Sequence, residues 1–369
     1  ANHSMAMDVI RKIGLAALTG GLPLFIPINN IALLMDIENQ CSADPENIVF
    51  VIDKSVTPEQ MYIDRINAVK SKGFRFGVQN ITSVIQYESI IELCDFFLLS
   101  SKNDDTVKIN KYINIRFKGT HVILKNIDTV SDYEAFKRVG FFMYEGLFYR
   151  MPVTKGNTEV TPLKANYIQL MNLTNDENFD IGEVADIVQQ DTALAISLLH
   201  MVNSLNLSSK VKSIKNAAAL LGQNELRKWI ITAAVSQLCV DKPNEITRVS
   251  LIRAKFAEYI APAFEMAISS KELFLMGLFS VIDIILDMPM DKALDTVMVN
   301  DIIRDALVNK KGKFSPVLEF IKTYESADWQ QVSFMLILHN IPANVISEAY
   351  LNSLTWYSTL LTGLEGQQA

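Results

Sequence analysis

The chain has 369 residues, 49% of them apolar and 20% charged, which excludes a disordered polymer and, at about 150 residues per domain, predicts two compact units. A formal charge of -7 repels a phosphate backbone on average, so nucleic acid is excluded as a partner unless a local basic patch exists. The lysine clusters 210, 212, 215 and 310, 311, 313 lack interleaved stacking aromatics and read as solvated helix ends.

From residue 22 to 150 short apolar runs alternate with amphipathic stretches. LPLFIPI (22–28), IVFVI (48–52), FRFGV (74–78), FFLL (96–99), HVIL (121–124) and FFMY (141–144) read as parallel strands, with crossover helices between them. Pro58 opens one such helix, with Met61, Ile66 and Val69 marking its buried face and Gly73 ending it. Six strands at this spacing are two short of a closed (β/α) barrel. The open edges then invite a further strand, a covering helix or a second copy of the chain. Residues 151–163, MPVTKGNTEVTPL, carry two prolines and a glycine and read as the linker.

The second half is helical in pattern. Asp180 followed by Glu183 predicts an N-capped helix, DIGEVADIVQQD, and Thr192 starts the next, with Leu194, Leu198, Met201, Val202 and Leu205 at helical spacing. Leu220, Leu221, Leu226, Trp229, Ile230 and Ala233 continue that pattern. The longest apolar run, Leu273 to Leu286, is interrupted by Asp283 and is too short for the roughly 20 residues of a membrane span, so it reads as a buried helix.

Few groups gather as a site would need. Asp176, Asn178 and Asp180 alternate like calcium ligands, but the rest of that loop fails and helix capping explains them. The four histidines, His3, His121, His200 and His339, have no ligand spacing, and His200 on an apolar helix reads as a hydrogen-bonded core residue. Cys239 could meet His200 as nucleophile and base, yet no orienting partner or oxyanion feature accompanies them. No Gly-rich phosphate loop follows Gly20 and Gly21. Three scattered cysteines, Cys41, Cys94 and Cys239, suggest reduced thiols in a cytoplasmic protein. The opening ANHS before Met5 reads as a vector remnant.

The stretch DIGEVADIVQQDTALAISLLHMVNSLNLSSKVKSIKNAAALLGQNELRKWI resembles the opening of an HDOD domain, the helical, histidine-poor relative of HD phosphohydrolases. The likeness continues through LIRAKFAEYIA and ELFLMGLFSVIDIILDMPMDKAL to ADWQQV. More faintly and only in part, the N-terminal half resembles an EAL domain, the cyclic-di-GMP phosphodiesterase barrel. An EAL enzyme needs acidic and amide ligands at strand ends to hold divalent metals. The resemblance puts Pro27 at the ligand asparagine, Val51 at a ligand glutamate and Lys54 at a later one, and Gln79 and Asn80 at the paired aspartates. Leu98 and Ser100 stand for a lysine and an aspartate, Asp128 for a glutamate, and Glu145 for a glutamine before Gly146; the EAL segment itself is absent. In the HDOD half, Ser280 and Val281 occupy the His-Asp positions of an HD enzyme, and no histidine lies between residues 201 and 338.

The resemblance therefore implies an incomplete (β/α) barrel of the EAL type over residues 5–152, a linker over 153–162 and an HDOD helical bundle over 163–364. The expected protein is a non-catalytic bacterial signalling protein, not an enzyme, in or near cyclic-di-GMP signalling. It is expected to need no metal or cofactor and to act on protein partners, with no nucleic acid, no membrane insertion, and self-association through the open barrel edge. The alternative is a cyclic-di-GMP receptor without hydrolysis; a cryptic metal-dependent enzyme using Glu145 or Asp128 is the third reading.

Overall fold

Each of the six apolar runs becomes a strand, and their even spacing fixes the topology. The computed structural model describes residues 9–19, 22–41, 43–150, 162–174, 178–203, 210–242 and 244–365. It divides into two compact units, Ala1–Met151 and Pro152–Ala369.

Among the described residues of the first unit, β1 (Leu24–Pro27), β2 (Ile48–Ile52), β3 (Arg75–Gln79), β4 (Phe96–Ser100), β5 (His121–Ile127) and β6 (Met143–Gly146) form one curled parallel sheet in consecutive order. Between and before them lie helices α1 (Leu15–Thr19), α2 (Asn30–Leu34), α3 (Ile37–Gln40), α4 (Gln60–Lys70), α5 (Glu88–Ile91), α6 (Thr106–Arg116) and α7 (Val130–Lys137). All residues of β2 are buried, as a strand covered on both faces requires. Ile48, Phe50, Ile52, Phe76, Val78 and Leu124 pack against the helices. Val49, Val51, Phe96 and Ile123, with the half-buried Phe25 and Leu98, fill the opposite, concave face. At the β1 edge the Ile28 amide donates to the Val51 carbonyl at 2.9 Å, so even-numbered amides of this strand turn toward β2.

The α4 face differs from expectation by one residue. Tyr62, Ile66 and Val69 are buried while Met61 is 52% exposed, because the i, i+4, i+7 stripe runs through Tyr62. The helix begins after an N-cap at Glu59, so Pro58 lies just outside it. From α4, Arg65 reaches back and donates to Glu38 Oε1 at 2.9 Å and Oε2 at 2.6 Å, and to the Leu33 and Met35 carbonyls at 2.8 and 2.6 Å. This fork ties the α2–α3 turn to α4 and holds the buried Glu38 carboxyl down to about 2, against the opposing effect of burial.

The second unit is entirely helical among its described residues: α8 (Pro162–Leu173), α9 (Ile181–Gln190), α10 (Thr192–Asn203), α11 (Ile214–Leu238), α12 (Asn244–Ile260), α13 (Ser270–Phe279), α14 (Ile282–Leu286), α15 (Met290–Thr296), α16 (Asp301–Arg304), α17 (Ser315–Glu325), α18 (Trp329–Leu338) and α19 (Ala343–Glu365). Asp180 caps α9 as expected, accepting from the Gly182 amide at 2.6 Å. Asp191 both caps α10, accepting from the Leu194 amide at 3.0 Å, and accepts from the Tyr167 hydroxyl of α8 at 2.9 Å. The predicted stripe along α11 holds for Leu226, Trp229, Ile230 and Ala233 but not for Leu220, which is 59% exposed. Gly222 has φ 70° and breaks the helix there, so the two halves lose phase. Likewise the apolar run from Leu273 becomes two helices, α13 and α14, parted at Ser280 and Val281. At Gly277 a side chain would collide with the Arg253 carbonyl, which is how closely α13 lies on α12. No helix among the described residues is long and apolar enough to cross a membrane. Residues 153–161 of the linker, Asp176 and Leu205 lie outside the described residues, and Pro162, counted with the linker, opens α8.

Candidate functional site

In a parallel sheet of consecutive order the loops after all strands gather at one rim, where side chains from several strands can converge. Strand register decides which side chains meet. Gln79 pairs with Leu98, Ser100 with Lys125, and Ile123 with Met143. Alternation then sets Gln79, Leu98, Ser100, Lys125 and Glu145 on the concave face, together with Pro27 and Val51.

The centre of the rim is Lys125. Its Nζ donates to Gln79 Oε1 at 2.9 Å and lies 3.7 Å from Glu145 Oε2; the lysine is 24% exposed and Glu145 57%. An amide, an ammonium and a carboxylate thus form a chain across β3, β5 and β6. Around it, Ser100 Oγ donates to Asn126 Oδ1 at 3.2 Å and Ser101 Oγ to the Asn126 carbonyl at 2.7 Å. Asn126 has φ 62°, at the register shift between Leu124 and Ile127. Asn80 is exposed, in the left-handed region at φ 52°. Lys102 and Asp128 pair at 3.2 Å on the surface, Val51 is buried in the concave core, and the Lys54 carbonyl accepts from the Tyr87 hydroxyl at 3.1 Å. The structure therefore unites Gln79 and Glu145 through Lys125 and leaves Lys54 and Asp128 in separate contacts. Lys125 is the residue that sequence reasoning missed, although two-residue alternation from His121 and Ile123 points to it.

The second position of interest lies in the helical unit. Ser280 is buried at the α13–α14 break; its Oγ donates to the Gly277 carbonyl at 2.7 Å and accepts from Arg253 at 3.0 Å. The remaining guanidinium edge donates to Glu325 Oε1 at 2.7 Å and Oε2 at 2.6 Å, with side chains only 8% and 13% exposed. A guanidinium fork thus engages both oxygens of Glu325, and three helices, α12, α13 and α17, share one network. Asp283 is also buried nearby in sequence, on α14. Among the described residues, no three His, Cys, Asp or Glu side chains come together in a way that could hold a metal ion.

One expectation fails here, that for His200, and the rejection of Cys239 as a nucleophile is supported. His200 is exposed on α10, not a core residue, because the buried stripe runs through Leu194, Leu198 and Val202. Cys239 is buried, and that burial pushes its thiol up to about 11 despite a hydrogen bond with Thr247. A thiol so raised is a poor nucleophile.

The HDOD domain model matches residues 160–299. The helical unit carries an HDOD domain. Two relatives extend the likeness into the first unit. The uncharacterized protein YuxH of Bacillus subtilis is 23% identical over 98% of this chain and 90% of its own length. The cyclic di-GMP phosphodiesterase CdgJ of Vibrio cholerae is 24% identical over 78% of this chain and 68% of its own length.

The second relative corrects the expectation that the chain is no enzyme: a protein similar over most of its length is named as a phosphodiesterase, so that expectation no longer stands. Ligands are missing at the positions matched to one barrel pattern. A deficit there does not speak for groups that folding brings in from elsewhere, as it brings Lys125 between Gln79 and Glu145.

Proposed function

We propose that the chain is a signalling protein of cyclic-di-GMP circuits whose HDOD domain passes the signal on by docking to protein partners. The observation that carries this reading is a single chain joining an HDOD domain to a curled parallel sheet, with similarity to a cyclic-di-GMP phosphodiesterase running over most of it. At Ser280 the domain has a structural Arg253–Glu325 pair, which suits a rigid docking scaffold. Cross-linking in the native host with the full chain, followed by mapping, tests it. A reproducible partner cross-linked to residues 160–299 supports the reading; cross-links no richer than those of an unrelated acidic control refute it.

A second reading concerns the rim of the sheet. The first unit is a relative of the EAL barrel, and cyclic-di-GMP lies along its concave rim with a phosphate on Lys125. The half-buried ammonium held by Gln79 supplies the positive charge that a phosphodiester needs. Calorimetry with cyclic-di-GMP, run beside a product assay for the linear dinucleotide in magnesium and in manganese, decides it. Micromolar binding that weakens at least tenfold in Lys125→Met supports the rim as the site, and product formation lost in the same variant makes the rim catalytic. Binding unchanged in Lys125→Met removes it.

A further inference from the structure

The helix α18 carries an unusual face. Its sequence, WQQVSFMLIL, contains no charged side chain. Only Val332 and Met335 are buried in its own unit, whereas Trp329 is 58% exposed, Phe334 58%, Ile337 81% and Leu338 67%. Asp328 caps the helix, accepting from the Gln331 amide at 3.1 Å, and Trp329 packs edge-on against Tyr324 at 5.4 Å, so the helix is anchored in its own unit. Beside the apolar ridge runs a groove of about 450 Å³, lined by Ser333 and Ile337 of the helix and by Ile341 and Pro342 after it.

Large aromatic and aliphatic side chains at these exposures offer on the order of 500 Å² of apolar surface, the upper end of what a monomer leaves open. With the uncharged Gln330, Gln331 and Ser333 at its border, the face approaches the roughly 800 Å² per partner of a standard interface.

Charge leaves this face, unlike the rest of the surface, open to a second copy. The chain carries a formal charge of -7, so two copies repel each other over most of their surfaces. Helix α18 carries no charge of its own, so that repulsion is least there. A partner recognised by charge would find nothing to pair with here. A two-fold interface also requires that one patch hold both the projection and the recess, and here the exposed Phe334 directly follows Ser333, which lines the groove. We propose that this face docks a second copy of the chain, α18 crossing its symmetry mate with Phe334 of each copy seated in the groove of the other. This dimer is independent of any nucleotide and of the sheet edges.

Sedimentation equilibrium of the full chain tests the proposal. The expected mass is twice 41.4 kDa at roughly micromolar concentration. Phe334→Glu and Ile337→Glu should each raise the dissociation constant at least 100-fold and leave the far-ultraviolet dichroism unchanged, since both side chains face solvent in the single chain. Ser333→Cys, near the proposed axis, should form an intermolecular disulfide on mild oxidation that the parent chain does not form. A parent chain of single mass up to roughly 100 μM, or a dimer that survives both glutamate variants, overturns the proposal. So does a Ser333→Cys variant that is dimeric yet keeps its new thiol unpaired.

Discussion

Replacing Glu325 by leucine isolates the energetics of the buried ion pair. The variant leaves the Arg253 guanidinium, 8% exposed, bonded to Ser280 but without its carboxylate. Removing one member of a buried pair costs about 3–5 kcal/mol because the surviving charge stays desolvated; with the Ser280 bond retained, about 3 kcal/mol is expected. All three tryptophans, Trp229, Trp329 and Trp356, lie in the helical unit, so their fluorescence reports its unfolding alone. With a urea slope of about 2 kcal/mol per molar, the midpoint should fall by roughly 1.5 M. The double variant Arg253→Met with Glu325→Leu removes both charges and should return to within about 1 kcal/mol of the parent. A single variant that loses less than about 1 kcal/mol, or a double variant at least as damaged as the single, refutes the reasoning.

The first unit should show an acid limb set by Glu38. Its folded carboxyl titrates near 2 against an ordinary 4.5, so the Arg65 fork contributes fully above pH 4.5 and is lost as pH falls toward 2; near-ultraviolet dichroism should show this limb, shallower in Glu38→Gln. Gly277→Ala drives a methyl into the Arg253 carbonyl and should cost more than about 2 kcal/mol by the same fluorescence melt, whereas an exposed substitution such as Leu220→Ala should cost less than about 0.5. Thiol titration with an aromatic disulfide should label Cys41 first in the native chain, more slowly than a free thiol because partial burial raises it too, and Cys94 and Cys239 only on unfolding because both are buried; native labelling of Cys94 as fast as that of Cys41 would contradict its burial.

The sheet was readable because strands buried on both faces leave unbroken apolar runs, and all six runs became strands within a few residues of where the pattern put them. Helix faces were less so: Tyr62 and not the adjacent Met61 completes the stripe that Ile66 and Val69 set, and the Gly222 break exposed Leu220 by putting the two halves of α11 out of phase. The rim was half legible. Gln79 and Glu145 were marked by resemblance, but their connection depends on Lys125, whose role appears only when β5 is laid between its neighbours. The Arg253–Glu325 pair had no sequence signal at all, because its members are 72 residues apart and meet through the packing of α12 with α17.

The β1 border has a consequence for solubility. Even-numbered amides there point inward to β2, so any donors offered to a stranger strand must come from residues 23, 25 and 27. Two of those three are prolines, Pro23 and Pro27, which have no hydrogen to give. Only Phe25 could bond to an incoming chain, too sparse a ladder to template fibril-like stacking. This flank of the sheet is thereby shielded against runaway growth without needing a cover.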